Sequence, residues 1–461
     1  MRRDDRRSSV LILGDVLLVP LSYAGGYLIR FGTLSRFREH FSPVFLLMMT
    51  ASYIVAFYFF DFYTLARKIR NRTLVARIVL AIGVSAVFAS LLKYVFFLIP
   101  IGRGVLILAN TLLVVLVFTW QKVGTLLFRV MARPSSVLLV GRGNGVDEIV
   151  EILASDPQDY QILGVLADEE PLPDAPADVS AARVIGSPRQ LGEFLESRAA
   201  KIIILAETSG PSFLSAEGLL QARLGPVEVI DVPEMYQRLK FRIPIDFIKD
   251  ERWFLRTKGF ALANNHMAGK IKRIFDIALG GVLFLAGLPL WPFIALFIKV
   301  ESRGPVFYGQ SRIGKNGIVF HLYKFRSMIE RAESDEPVWA GKTDRRITRV
   351  GRVLRKLHLD ELPQLWNVLR GEMSLVGPRP ERPEFVAALK RDIPFYALRH
   401  FIKPGLTGWA QINYPYAAST KDSKEKLEYD LYYISRMNLV FDLKILIETL
   451  FGVISGRHRD L

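Results

Sequence analysis

An aspartate and a glutamate stand side by side at Asp360 and Glu361, inside the run LRKLHLDELPQLWNVLRGEMSLVGPRP over 354–380. A basic segment precedes them and a Gly-Pro-Arg turn follows. Two adjacent carboxylates in so positive a setting suit a divalent cation, which takes oxygen ligands. The surrounding arginines and lysines suit phosphate oxygens. A plainer reading is equally open on these residues alone. Asp360 can cap the N-terminus of a helix carrying Leu362, Leu365, Trp366 and Leu369, with Pro363 in its first turn.

The elements that must position the pair are legible on either side. Two alternating apolar runs separated by glycines over 304–328 predict a short hairpin that ends in the cations Lys324 and Arg326. Next comes a helical pattern with Val350, Val353, Leu354 and Leu357 on one face and Arg349, Arg352 and Arg355 on another. Upstream, residues 277–300 form an apolar stretch long enough to span a bilayer core of ~20 helical residues. Its flanks are equally basic, with Lys270, Lys272 and Arg273 before it and Lys299 and Arg303 after it, so charge gives neither end a reason to cross. Pro289 and Pro292 interrupt it, each removing a helix hydrogen bond. The segment at 274–302 is therefore expected to be re-entrant, entering and leaving by one leaflet, with a kinked full span as the alternative. The amphipathic run at 385–405 suits either the membrane interface or the core of this domain.

The first third of the chain is different. Four apolar segments, at 10–31, 44–63, 74–99 and 105–128, are each close to spanning length. Basic residues gather at Arg2, Arg3, Arg6 and Arg7, at Arg67, Lys68, Arg70, Arg72 and Arg77, and at Lys122, Arg129 and Arg133. The positive-inside rule then puts both ends of a four-helix transmembrane bundle (1–133) in the cytoplasm. No small-residue cleavage site follows the first segment, which reads as a retained helix. Asp15 and Lys93 lie near segment ends, where packing or snorkelling is the leading reading and a functional role the other.

Between these regions, residues 134–240 alternate strand and helix signals, which predicts a doubly wound parallel sheet. Gly141, Gly143 and Gly145 resemble a dinucleotide fingerprint, but Val146 stands where its third glycine belongs. The domain is read as Rossmann-like and degenerate, with a structural or regulatory role favoured over a bound nucleotide. Residues 171–182 read as a surface loop and 241–269 as a linker.

Composition sets the outer limits. The 461 residues are 51% hydrophobic with net charge +16, and there is no cysteine. Thiolate catalysis and disulfides are thereby excluded, and a reducing compartment fits. The basic excess suits phosphorylated substrates or anionic lipid. No nucleic-acid-binding module signature is present, so no nucleic-acid partner is expected.

From about residue 270 onward the chain resembles the bacterial sugar transferases, the polyprenyl-phosphate hexose-1-phosphate transferases also called monotopic phosphoglycosyl transferases. The motifs that carry the resemblance are KRIFDI, GPVFYGQSRIG, KFRSM, ITRVGRVLR, LDELPQLWNVLRGEMSLVGPRP and KPGLTGWAQI, in that order. With four spans and a Rossmann-like domain ahead of them, the whole resembles the large members that start exopolysaccharide, capsule or O-antigen synthesis. One residue departs from the family pattern: His358 stands where Ser or Thr is usual before Leu-Asp-Glu.

The resemblance implies a membrane protein of α/β class with an α-rich catalytic domain (270–461) on a re-entrant helix hairpin. That domain would face the cytoplasm at the bacterial inner membrane. It implies transfer of a hexose 1-phosphate from a UDP-sugar to undecaprenyl phosphate, with release of UMP. Asp360 is implied as the covalent nucleophile and Glu361 as a ligand of Mg²⁺. Lys324, Arg326, Arg355 and Arg379 are the expected phosphate contacts. Glucose or galactose is the expected sugar, and a homodimer through the Rossmann-like unit is plausible. The rival expectations are a membrane scaffold for a polysaccharide assembly complex and a nucleotide-sugar oxidoreductase using the Rossmann-like unit.

Overall fold

A computed structural model describes residues 3–40, 43–60, 62–63, 71–95, 102–131, 134–141, 145–157, 159–167, 184–196, 200–206, 227–248, 251, 253–254, 260, 266–329, 346–414 and 419–455. Gly143, the expected loop at 171–182, and Arg2, Arg67, Lys68, Arg70 and Arg133 lie outside the described residues, as do the side chains of Lys93 and Arg129. The chain is mixed α/β and divides into two compact units, Met1–Arg133 and Pro134–Leu461.

The first unit carries α1 (Arg3–Phe31), α2 (Ser35–His40), α3 (Pro43–Phe59), α4 (Asn71–Val95) and α5 (Arg103–Met131). The four longer helices coincide with the four apolar segments. Helix α1 packs on α3 and α5, and α4 packs on the same two. Small residues permit the close approach: a Cβ on Gly26 would lie 3.1 Å from Ala109. Asp15 is fully buried there and accepts from the Tyr63 hydroxyl at 2.9 Å and from Gln121 Nε2 at 3.4 Å. Interhelical packing thus accounts for Asp15. Among the described residues, Ser8–Phe31, Arg103–Leu127 and Met267–Glu301 are long and apolar enough to cross a membrane, while Pro43–Phe59 and Leu74–Ser90 are shorter apolar helices.

The second unit opens with β1 (Ser135–Val140), α6 (Val146–Ala154), β2 (Tyr160–Leu166), β3 (Val184–Gly186), α7 (Leu191–Glu196), β4 (Ile202–Leu205), β5 (Glu228–Asp231) and α8 (Val232–Lys240). The strands form one parallel sheet in the order β3-β2-β1-β4-β5. Val137 and Leu139 enter one core and Leu138 and Val140 the other, so β1 is buried on both faces. That double burial is why its sequence is unbroken apolar rather than alternating. Gly141 and Gly145 take φ of 87° and 89°. Val146 is buried in the core, and the Phe247 ring covers Gly145, where an added Cβ would lie 2.6 Å from it. Among the described residues, Val146 and Phe247 pack apolar side chains at this turn.

Past α8 the chain does not behave as a free linker. Ile243, Ile245 and Ile248 are buried in the core that also holds Leu375 and Leu431. Arg242 donates to the Tyr236 hydroxyl and pairs with Glu425 and Glu428. Trp409 Nε1 donates to the Phe241 carbonyl at 2.9 Å.

Helix α9 (His266–Gly287) is followed by a 3-10 turn at Leu288–Leu290 and by α10 (Trp291–Glu301). Pro289 lies in the 3-10 turn and Pro292 in the first turn of α10, where its missing N–H is tolerated, and Gly287, Leu290 and Trp291 keep right-handed helical angles. Strands β6 (Phe307–Ile313) and β7 (Val319–Phe325) pair antiparallel as the expected hairpin, turning through Asn316 and Gly317 at positive φ. Thr348 caps α11 (Arg349–Lys356), its Oγ1 accepting from Gly351 N at 2.9 Å.

The expected apolar face of α11 splits: Leu354 is buried, but Val353 and Leu357 are exposed. Gly351 explains this, because a Cβ there would lie 2.0 Å from the Ser327 carbonyl oxygen. That close backbone approach turns the helix by its glycine. Helix α12 (Gln364–Arg370) packs on α9. Strands β8 (Ser374–Val376) and β9 (Gly405–Thr407) pair in parallel.

Helix α13 (Pro383–Asp392) buries Val386 and Leu389, and Tyr396, Arg399 and His400 are buried after it. The larger apolar side chains of the 385–405 run therefore mostly face the core, Phe401 being exposed, while Lys390, Arg391 and Asp392 face outward. Helices α14 (Trp409–Asn413), α15 (Thr420–Arg436) and α16 (Leu439–Ser455) complete the unit.

Candidate active site

Helix α11 ends at Lys356, and His358 takes the left-handed conformation with φ of 53°. That reversal starts a 3-10 turn over Leu359–Glu361, closed by Glu361 N donating to the His358 carbonyl. The turn presents Asp360 and Glu361 ahead of α12. Helix α12 has Pro363 at its N-cap with no side-chain cap, so the capping reading of Asp360 does not hold. His358 is a bend between helices rather than a helical residue.

The two carboxylates differ sharply in environment. Asp360 is buried, and its side chain makes no hydrogen bond or ion pair among the described residues. Burial raises its pKa; Glu361 adds to the rise, while Lys324, Arg355 and His358 oppose it. Glu361 Oε1 accepts from Lys324 Nζ at 2.9 Å and from Arg379 Nη2 at 3.1 Å. Burial disfavours the Glu361 charge, but Lys324 and Arg379 outweigh it and hold the carboxyl far below its ordinary range. Glu361 is therefore a fixed anion, and Asp360 is a buried carboxylate with no fixed partner. Burial in turn lowers the Lys324 pKa, against the opposing pull of Glu361.

The structure gathers three of the four expected phosphate contacts around this pair. Lys324 arrives on β7 and Arg379 on the Gly-Pro-Arg turn. Arg355 comes from the last turn of α11, with its Nε bonded to Ser327 Oγ at 2.9 Å. Arg326 is not among them: its guanidinium donates to the Ser302 and Arg303 carbonyls at 2.8 Å each and to Ser302 Oγ at 2.9 Å. It moors the end of α10.

Arg379 is itself positioned from behind. Its carbonyl accepts from Arg399, a buried cation that also pairs with Asp430 at 2.8 Å and bonds the Tyr396 hydroxyl. Its Nη1 donates to Gln411 Oε1 at 3.0 Å.

Two residues that the sequence did not single out also face the site. Arg312 and Gln364 line one cleft with Lys324, Arg379 and Gly405. Gln364 is buried, and its Nε2 has no hydrogen-bond partner. Both lie inside motifs already visible, QSRIG and LDELPQL, yet neither motif distinguishes a cleft residue from a core one.

Among the described residues there is no group of three His, Cys, Asp or Glu that would cage a metal. The donor set still fits Mg²⁺, which needs few protein oxygens when substrate phosphates supply the rest. Both hydrogen bonds to Glu361 fall on Oε1, and Asp360 adjoins it.

A family described as bacterial sugar transferase matches residues 267–456. A UDP-N-acetylgalactosamine-undecaprenyl-phosphate N-acetylgalactosaminephosphotransferase from Aeromonas hydrophila is 39% identical over 238 residues, which cover 52% of this chain and 55% of that protein. A UDP-glucose:undecaprenyl-phosphate glucose-1-phosphate transferase from Escherichia coli (strain K12) is 44% identical over 183 residues, 39% of each chain. The match thus spans about half or less of these two relatives' own length. An uncharacterized sugar transferase from Bacillus subtilis (strain 168) is 39% identical over 188 residues, which make up 40% of this chain and 87% of that shorter protein. The chain belongs to the bacterial sugar transferase family.

Proposed function

We propose that this protein transfers a sugar 1-phosphate from a UDP-sugar to undecaprenyl phosphate in two displacement steps. The observation that carries the reading is the division of roles between the two carboxylates. Asp360 is buried without a fixed partner, the state of a nucleophile. In the first step its carboxylate oxygen attacks the sugar-linked phosphorus. The bond from that phosphorus to the bridging oxygen breaks, and UMP leaves with the electron pair. An acyl phosphate carrying the sugar remains on Asp360. In the second step an oxygen of undecaprenyl phosphate attacks the same phosphorus and frees the carboxylate. The product is a lipid diphosphate sugar.

Lys324, Arg379 and Arg355 offset the charge that accumulates on the transferring phosphoryl group. Arg312 and Gln364 add donors along the cleft. Glu361, with Asp360 beside it, would hold Mg²⁺; when bound, that ion neutralises phosphate charge and steadies the leaving UMP.

We further propose that the 266–301 segment is re-entrant and that the first unit is a four-helix transmembrane bundle. Both ends of the 266–301 segment are tied to one domain: Arg273 donates to the Val368 and Leu369 carbonyls at 2.6 Å each, and the other end is bonded to Arg326 and α11. A segment whose two ends serve one domain is best served by one leaflet. In this reading the acceptor phosphate and a cytoplasmic donor meet at Asp360, at the inner membrane, where polysaccharide synthesis would begin. The relatives' names include both glucose and N-acetylgalactosamine, so the sugar is a matter for assay.

The test is a panel of UDP-sugars with undecaprenyl phosphate and Mg²⁺, scored by UMP release. One sugar should support turnover, and Asp360→Asn should abolish it. Polymer synthesis in cells that survives Asp360→Asn would instead favour the scaffold.

A further inference from the structure

At the far end of α12 from the carboxylates, Arg273 and Lys403 converge, with Lys272 and Lys315 close enough to act on the Lys403 charge. An ideal Cβ on Gly371 would lie 3.2 Å from Arg273 Nη2 and 3.4 Å from Lys403 Nζ, so both head groups crowd one point. Lys272, next to Arg273 on α9, pairs with buried Asp442 at 2.5 Å. Arg273 donates to the two α12 carbonyls. Lys403 and Lys315 differ from these: among the described residues, neither side chain makes a hydrogen bond or ion pair. Burial lowers the Lys403 pKa, and Arg273, Lys315 and Lys272 lower it further, with Asp276 opposing. Lys403 is thus half-buried among three like charges. Asp442 is taken by Lys272, and Asp276 is bonded to Ser374 and the Leu375 N–H, so among the described residues no carboxylate pairs with Lys403 or Lys315.

Its place in the fold identifies the class of anion. Lys272 and Arg273 end the polar start of α9, and the apolar stretch begins at Ile274. Exposed Ile274, Ile277 and Val282 follow on the same helix. Where that helix enters a bilayer, the cluster stands at headgroup depth.

We propose that Lys403 and Lys315, backed by Lys272 and Arg273, bind the phosphate of a membrane lipid headgroup beside the entry point of α9. This inference rests on the membrane reading of the 266–301 segment. The site lies apart from the Asp360 turn, at the opposite end of α12, and its role is to set the depth at which the catalytic domain sits.

The full chain serves for the test. Flotation with phosphatidylcholine vesicles, with and without phosphatidylglycerol, first reads membrane attachment. A chain that stays with the soluble fraction overturns the membrane reading and the site with it. Native mass spectrometry from detergent then counts bound lipid, with phosphatidylglycerol, undecaprenyl phosphate and inorganic phosphate offered separately. Lys403→Gln should retain phosphatidylglycerol roughly fivefold less well, and the Lys315→Gln/Lys403→Gln pair less well again. Lys403→Arg should restore retention, and the melting temperature should hold in every variant. A loss seen with undecaprenyl phosphate but not phosphatidylglycerol assigns the same lipid-phosphate site to the acceptor. Unchanged retention of both lipids, or a response to inorganic phosphate alone, contradicts the proposal.

Discussion

Asp360, the proposed nucleophile, shows how a buried carboxylate opposes the stability of its own fold. Its pKa is raised by burial, so the folded state holds its proton more tightly than the unfolded chain does. The stability this gives is fully present below the ordinary value near 3.8 and is lost as pH rises through the raised one. Asp360→Asn should therefore melt higher than the native chain at pH 8 and about equally near pH 3, while UMP release falls by roughly 10⁴-fold or more.

The same shift governs the rate. The protonated carboxyl cannot attack, so kcat/KM should rise with pH along a limb above the usual carboxylate range. Arg355 lowers the Asp360 pKa, so Arg355→Gln should move that limb to still higher pH. A limb that stays in place would remove Arg355 from the site. Glu361 behaves in the opposite sense: its depressed pKa contributes stability above the ordinary value, lost as pH falls through the lower one. Glu361→Gln keeps an acceptor oxygen but leaves Lys324 and Arg379 without their shared counter-charge. It should cost roughly 1–3 kcal/mol of stability in a thermal or denaturant melt at neutral pH.

At the scale of elements, His358 and Arg326 decide how the turn is held. His358 is in the left-handed region, which a β-branched side chain tolerates poorly. His358→Val should cost about 1–2 kcal/mol and reduce turnover by displacing Asp360, whereas His358→Gly should keep the turn and most of the activity. Arg326→Ala should destabilise by roughly 2–3 kcal/mol, by loss of charge-assisted bonds to the end of α10. It should leave the donor KM nearly unchanged if mooring is its function.

These two residues also mark the limit of what the sequence discloses. The strands of the parallel sheet, the 304–328 hairpin and the 3-10 turn at Pro289 are local patterns, and they are legible for that reason. The Asp-Glu pair is legible because the two residues are adjacent. Arg326 is not, because its partners Ser302 and Arg303 are set by tertiary packing rather than by spacing. The inward face of α11 is likewise fixed by Gly351 against Ser327, a contact that no helical periodicity contains. Arg312 and Gln364 were hidden similarly: a cleft is a property of several elements together.

At the scale of the whole molecule, the parallel sheet and the sugar transferase region belong to one compact unit, Pro134–Leu461. Residues 241–248 are built into that core through Ile243, Ile245 and Arg242. Arg242→Ala should accordingly lower the melting temperature of the whole 134–461 unit in a single transition, rather than release the sheet as a separately melting domain.

The absence of cysteine makes the topology directly testable. Single cysteines at Lys270 and Arg303 should both react with a membrane-impermeant thiol reagent only when the cytoplasmic face is exposed. Labelling from opposite faces would make the 266–301 segment a full span.

The central claim is that Asp360 carries the sugar phosphate covalently between two displacements. Its most direct test omits the acceptor. The purified chain is mixed with a UDP-sugar that it uses and with Mg²⁺, then quenched, digested and weighed by mass spectrometry. A burst of UMP equal to the enzyme concentration is expected, together with a sugar phosphate adduct on the peptide containing Asp360, which undecaprenyl phosphate then discharges. UMP that appears only after undecaprenyl phosphate is added, with no adduct at any time, would contradict a covalent intermediate and point to direct transfer between the two substrates.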